Sequence, residues 1–295
     1  MTAATLPART PLLGIALYMV AITLVVAANT TGKITMGGLP VWQVVLAQVS
    51  GLFFASMLVG RTVRIDRLIG ATRRPGLELL RTCCQMGAAL CFYMGLRAMP
   101  LADITGITLL LPLAITALAA LTLNEQVGWR RWCACGAGLF GALLIARPGF
   151  EGAQPAALWP LATVILFACY TVLTRRLSSE DSTPTLMIWA SLATVTVLGL
   201  ASPLYWVWPS AEGWIGLAGV CLFSGIANSA RIKALALAPA SLLAPFGYTQ
   251  IATATVVGYI VFHELPDGLS WTGIAVVVGS GLYVWHRERR REAQA

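Results

Sequence analysis

Apolar residues in this chain run in long blocks; they neither alternate as in a half-buried strand nor mark one stripe of an amphipathic helix. A bilayer core about 30 Å thick is crossed by about 20 helical residues. Ten stretches have that length and character: Leu12–Thr30, Pro40–Gly60, Glu78–Arg97, Leu101–Thr122, Arg131–Pro148, Ala157–Arg175, Thr185–Trp206, Ile215–Ala236, Ala240–Val261 and Leu269–His286. Short gaps carrying Gly, Pro or charge join them, and only Arg61–Leu77 is longer. Arg9 ahead of an apolar run ending in Val-Ala-Ala has the outline of a signal peptide. No polar stretch long enough for a soluble domain follows, so it is read as the first span. The pattern predicts an all-α polytopic membrane protein of ten transmembrane helices.

Composition sharpens this. Of 295 residues 58% are hydrophobic and 11% charged, against roughly 25% charged in a soluble domain. The net charge of +8 would suit a nucleic-acid binder if it lay on one folded face. Instead the basic residues sit between apolar runs, which points to a lipid bilayer as partner and to no nucleic acid. With the N-terminus inside, sixteen of the 20 Lys and Arg residues fall on the inner side, and Lys33, Arg97 and Arg147 on the other. Positive charge concentrates on the cytoplasmic side, so both termini are expected there, in a bacterial inner (plasma) membrane. Nine tryptophans, among them Trp42, Trp129, Trp208 and Trp271, lie near span ends as an interfacial belt requires.

The chain also repeats. A shift of 139 positions lays Leu96 on Leu235, Pro100 on Pro239, Thr116 on Thr255, Glu125 on Glu264, Trp132 on Trp271 and Leu143 on Leu282. Two five-span repeats follow, at 1–148 and 149–295. Five is odd, so the second half enters the membrane from the opposite side, an inverted repeat of the kind found in secondary transporters.

Leu96-Arg97-Ala98-Met99-Pro100 and Leu235-Ala236-Leu237-Ala238-Pro239 precede the fourth and ninth spans, and Asn124-Glu125 and His263-Glu264 follow them. In these motifs and in its ten-span plan the chain resembles the EamA branch of the drug/metabolite transporter superfamily, and within it the bacterial exporters of aromatic amino acids. The resemblance implies a basket-shaped bundle around a central cavity lined by spans 1, 3, 4, 6, 8 and 9. It implies alternating access and export of aromatic and other apolar amino acids, or of similar small amphipathic metabolites, by a monomer. Another cargo (a drug, a sugar nucleotide, a lipid fragment) is the alternative, and a membrane-embedded lipid-modifying enzyme the more distant one.

Unpaired polar groups are costly in hydrocarbon, so mid-span polar residues face a cavity or another helix. On the lining spans these are Gln85, Asn228 and Gln250, with Tyr170 and Tyr248 able both to stack and to donate a hydrogen bond. The five are the expected substrate-binding residues; Gln48, Thr108, Ser224 and Thr249 equally suit helix–helix bonds. Pro112 cannot donate to the Thr108 carbonyl nor Pro245 to that of Ser241, which makes them candidate hinges. Glu125 and Glu264 are expected to cap helix ends or hold a gate. No charged residue or His lies at the centre of a span, so no proton relay is expected. Nothing has the spacing of a hydrolytic triad, a phosphate loop or a zinc motif, and the seven cysteines form no CxxC pair. A catalytic role, a metal and a cofactor are therefore not expected.

Overall fold

The structure, a computed structural model, describes residues 9–59, 74–122, 129–146, 155–178 and 183–292. These contain twelve α-helices and one short 3-10 turn, Pro155–Ala157, and no strand. In chain order the helices are α1 (Arg9–Thr35), α2 (Val41–Val59), α3 (Pro75–Ala98), α4 (Leu101–Thr108), α5 (Leu111–Thr122), α6 (Trp129–Ala146), α7 (Leu158–Leu177), α8 (Thr183–Tyr205), α9 (Ala211–Leu237), α10 (Ala240–Gly247), α11 (Thr249–Phe262) and α12 (Gly268–Glu292). Each of the ten apolar stretches holds α-helix over most of its described residues. Six helical stretches are long and apolar enough to cross a membrane by themselves, Leu101–Thr122 counted across its break.

Two of the ten stretches are each divided into two helices. α4 ends at Thr108, where Pro112 withdraws its N–H, and α5 restarts at Leu111 with the Leu113 N–H on the Leu110 carbonyl. α10 and α11 meet at Tyr248. Pro245 predicts a break near Ser241 but lies inside α10, three residues before the observed one. The same 139-residue shift that aligns the sequence takes Leu101–Thr108 onto Ala240–Gly247. The break therefore follows the register of the repeat, and the prolines sit on opposite sides of it.

Packing is closest where glycine removes a side chain. α1 and α2 both lie along α9, α3 along α7, and α6 along α12. A Cβ at Gly51 would run into the Cys221 carbonyl, and one at Gly225 would stand 2.8 Å from the Gly51 oxygen, so the α2 and α9 backbones touch. Gly141 and Gly273 make the same contact between α6 and α12, while Gly136 and Gly279 face open space. Leu200, Leu204, Ile215 and Trp208 are exposed on the outside of the bundle, at 76%, 76%, 73% and 81%, as a lipid-facing surface would be. Trp206 packs edge-on to Trp208, with centroids 6.3 Å apart, and also against Trp214, at one end of that surface.

Candidate functional site

A cavity of about 500 Å³ lies within the bundle, inside the range that takes small-molecule ligands. α1 contributes Val25, Ala28 and Asn29, α2 Gln48, α3 Gln85, Ala89 and Phe92, and the first broken pair Thr108 and Leu111. α7 adds Thr163, Val164, Phe167 and Tyr170, α9 adds Ser224, Ala227, Asn228 and Arg231, and α11 adds Gln250. Five carboxamides and three aromatic rings thus share the wall. Arg231 is its one charged side chain among the described residues.

The 139-residue shift also relates residues of this wall to one another. Val25 and Val164, Ala28 and Phe167, Gln85 and Ser224, Ala88 and Ala227, Ala89 and Asn228, Phe92 and Arg231, and Leu111 and Gln250 all line the cavity, and each pair is separated by 139 positions. Equivalent positions thus face one space while carrying different chemistry. Ser224 stands where the shift places Gln85, Asn228 where it places Ala89, Gln250 where it places Leu111 and Arg231 where it places Phe92.

At one end an ion pair ties distant segments of the chain together. The Lys33 ammonium donates to both Glu264 carboxylate oxygens, at 2.7 and 3.0 Å, and to the Met99 carbonyl at 3.0 Å. It also stands 4.7 Å from the centre of the Phe262 ring, a cation–π contact that adds to the charge-assisted bonds. α11 ends at Phe262, and its cap His263 has a left-handed φ of 56°; the His263 and Glu264 amides turn back to the Tyr259 and Gly258 carbonyls. That turn delivers Glu264 to Lys33. Beneath the clamp Met36, Leu39, Tyr93, Leu96, Met99, Leu101 and Ile104 are buried in one cluster, and Asp103, 2% exposed in the first turn of α4, lies there too rather than on the cavity wall. α3 ends at this face, beside Met99, and α9 begins there, with Gly216 against Thr35.

Toward the other end the wall continues to Arg231, which is exposed and lies 3.5 Å from the Asn228 carbonyl oxygen. Here a second ion pair lies behind the wall. Arg81 and Glu78, one turn apart on α3, are 1% and 0% exposed and pair at 2.7 and 2.9 Å. The same guanidinium donates to the Thr174 hydroxyl at 3.3 Å and stacks 5.3 Å from the centre of the Tyr170 ring. Tyr170 also packs on Phe167, with ring centroids 5.2 Å apart.

Of the expected binding residues, Gln85, Tyr170, Asn228 and Gln250 come together on this wall. Tyr248 stands elsewhere: it caps the break between α10 and α11, and its hydroxyl is pressed against Gly281 of α12. Pro112 and Pro245 flank the two breaks, and Glu264 makes the clamp. Glu125 lies outside the described residues. The sequence reading missed Asn29, Phe92 and Phe167 as wall residues and Lys33 as the partner of Glu264. The 139-residue shift relates Phe167 to Ala28 of α1 and Phe92 to Arg231 of α9, and following it from the polar residues of α9 would have drawn attention to Phe92. The Lys33 partnership, 231 positions away, has no local signal.

Residues 154–285 match the EamA-like transporter family. Over 259 residues, 86% of each chain, the protein is 29% identical to a riboflavin transporter of Vibrio cholerae. It is 23% identical to an S-adenosylmethionine uptake transporter of Rickettsia bellii over 74% of this chain and 75% of that one. A pseudopaline exporter of Pseudomonas aeruginosa is 24% identical over 70% of this chain and 75% of its own. A crystal structure at 20% identity superposes with a TM-score of 0.63 over 96% of this chain and 99% of that one, a likeness of fold. The relatives' names do not single out aromatic amino acids. The chain is thus similar over most of its length to carriers of small metabolites, and over residues 154–285 to the EamA-like transporter family.

Proposed function

We propose that the whole chain is a secondary transporter of the drug/metabolite superfamily, moving a small amphipathic metabolite through the central cavity by alternating access. On this reading 1–148 and 149–295 are two inverted five-span repeats in a bacterial inner membrane, both termini are cytoplasmic, and a monomer suffices. The supporting observation is the cavity itself: seven pairs of repeat-related positions form its wall, while one end is clamped shut. Pro112 and Pro245 serve as hinges beside the broken helices, and Glu264 as the gate on Lys33.

The wall suits a flat ring with several hydrogen-bonding edges. Phe92, Phe167 and Tyr170 offer stacking faces, and Asn29, Gln48, Gln85, Asn228 and Gln250 each present both a donor and an acceptor. A riboflavin-like cargo, as the Vibrio cholerae relative's name states for that protein, fits this chemistry best. Aromatic amino acids are the second reading, favoured by Thr108 on the wall, whose carbonyl receives no bond from Pro112 and can accept one from an ammonium. No carboxylate or histidine lines the cavity among the described residues, so the cargo moves down its own gradient without an obligatory proton.

Reconstituted protein, loaded with radiolabelled riboflavin, tryptophan or phenylalanine, tests all of this. Saturable riboflavin flux at equal pH on both sides is expected. Saturable flux of the amino acids alone moves the assignment to the second reading, flux seen only under an imposed pH difference overturns the uncoupled mechanism, and none for any probe overturns transport of this class.

A further inference from the structure

The two ends of the cavity differ in charge because one repeat-related pair diverged. Phe92 lies on α3 toward the clamped end, and its counterpart Arg231 lies on α9 toward the other. Nothing anionic on the described wall offsets Arg231. A second observation points the same way. The ring of Tyr170 faces the cavity, and its π-system already holds the Arg81 guanidinium, which Glu78 fixes in place. A ring attracts a cation through its negative face; with one cation engaged, it has less to offer another.

We infer that the cavity is a charge filter: it admits neutral and anionic ring-bearing molecules, ring toward Phe92 and acceptor group toward Arg231, and rejects net cations. This rests on the proposed transport reading and narrows its cargo class. Arg231 and Asn228 together present donors suited to a carboxylate, a phosphate or an imide oxygen. A unit charge about 10 Å from an arginine, at the effective dielectric of about 20 found near protein surfaces, experiences an interaction that changes its local concentration by about tenfold.

The test reads the field without needing the cargo. In a variant with the seven native cysteines replaced, Ala89→Cys puts one thiol on the wall, at the position related to Asn228. The purified full chain in a neutral detergent is treated with sulfonatoethyl methanethiosulfonate, an anion, or trimethylammonioethyl methanethiosulfonate, a cation. Each rate is divided by the same reagent's rate with a free thiol. The normalised anion-to-cation ratio is expected to be about a hundred, to fall at least tenfold in Arg231→Gln and to persist in Arg231→Lys. The double variant Glu78→Gln/Arg81→Met is expected to lower it by a smaller factor. A ratio near or below one in the parent overturns the charge filter and leaves transport standing. An unchanged ratio in Arg231→Gln overturns the assignment to that residue. A thiol that neither reagent modifies shows that the cavity is closed to solvent, and the transport reading fails with it.

Discussion

Among the described residues an ion pair lies toward each end of the bundle, Lys33–Glu264 and Glu78–Arg81, and the two are built in opposite ways. Lys33 and Glu264 are 231 positions apart, partly exposed at 12% and 33%, and join three chain segments: α1 through Lys33, the end of α11 through Phe262 and Glu264, and the α3–α4 junction through Met99. Glu78 and Arg81 are three positions apart on a single helix and wholly buried. Breaking the first pair releases elements from one another. Breaking the second releases little, because α3 remains a helix, but it strands a charge. A contact between distant segments can therefore serve as a lock, whereas the local pair stiffens a wall, reaching outward to Thr174 and Tyr170 among other groups.

That contrast sets the order of expected effects. Glu78→Gln should be the most damaging substitution, because the buried Arg81 then loses the Glu78 carboxylate, at a cost of about 3–5 kcal/mol. The measurement is thermal unfolding followed by size-exclusion chromatography in detergent. Glu78→Gln/Arg81→Met, which removes both charges, should recover most of the loss, and equal damage in the single and double variants would show that the wall needs the pair itself. Gly51→Ala comes next. Its methyl meets the Cys221 carbonyl of α9, and forced repacking costs about 1–3 kcal/mol. Because α2 and α9 meet alongside the cavity, this loss should appear in stability with no preference for either end.

Lys33→Met should act on access more than on stability. Charge-assisted bonds contribute about 1.5–3 kcal/mol each, reduced here because a third of the Glu264 side chain is exposed. A thiol at buried Met36, beneath the clamp, should then react with a membrane-impermeant reagent about tenfold faster. The exchange Lys33→Glu/Glu264→Lys should restore protection only partway, since a carboxylate would now face the Met99 carbonyl. Unchanged reactivity in Lys33→Met would make the pair a surface ornament of a seal maintained by Tyr93, Leu96 and Ile104 alone.

Much of this was legible in the chain. Apolar run lengths located every helix that is described, and the 139-residue shift aligned the helix breaks and the cavity wall. Gln85, Asn228 and Gln250 were legible because a carboxamide in hydrocarbon needs a partner. The clamp was not: Lys33 reads as one more interfacial cation, and its partner comes from the far end of the chain. Nor was the break at Tyr248, because Pro245 directs attention to Ser241, whereas the register of the repeat places the break at the same point as in α4–α5.

Tyr248 and Gln250 provide the finest test of where the wall ends. They are two positions apart, about 200° around a helix, and share mid-span placement and polarity. The sequence gives no reason to separate them. In the structure Gln250 lines the cavity and occupies the position related to Leu111, while the Tyr248 hydroxyl meets Gly281. Gln250→Ala removes a donor and an acceptor from the cargo's surroundings and should raise KM about threefold, within the roughly 0.5–1.5 kcal/mol of a neutral hydrogen bond. Tyr248→Phe removes only an oxygen from a helix contact, so KM should change by less than about twofold. Riboflavin uptake in proteoliposomes, fitted for KM and maximal rate separately, distinguishes them. A Tyr248→Phe effect on KM equal to that of Gln250→Ala would mean that α11 turns about its axis during transport and brings Tyr248 to the cargo, so that the wall seen here is only one of two.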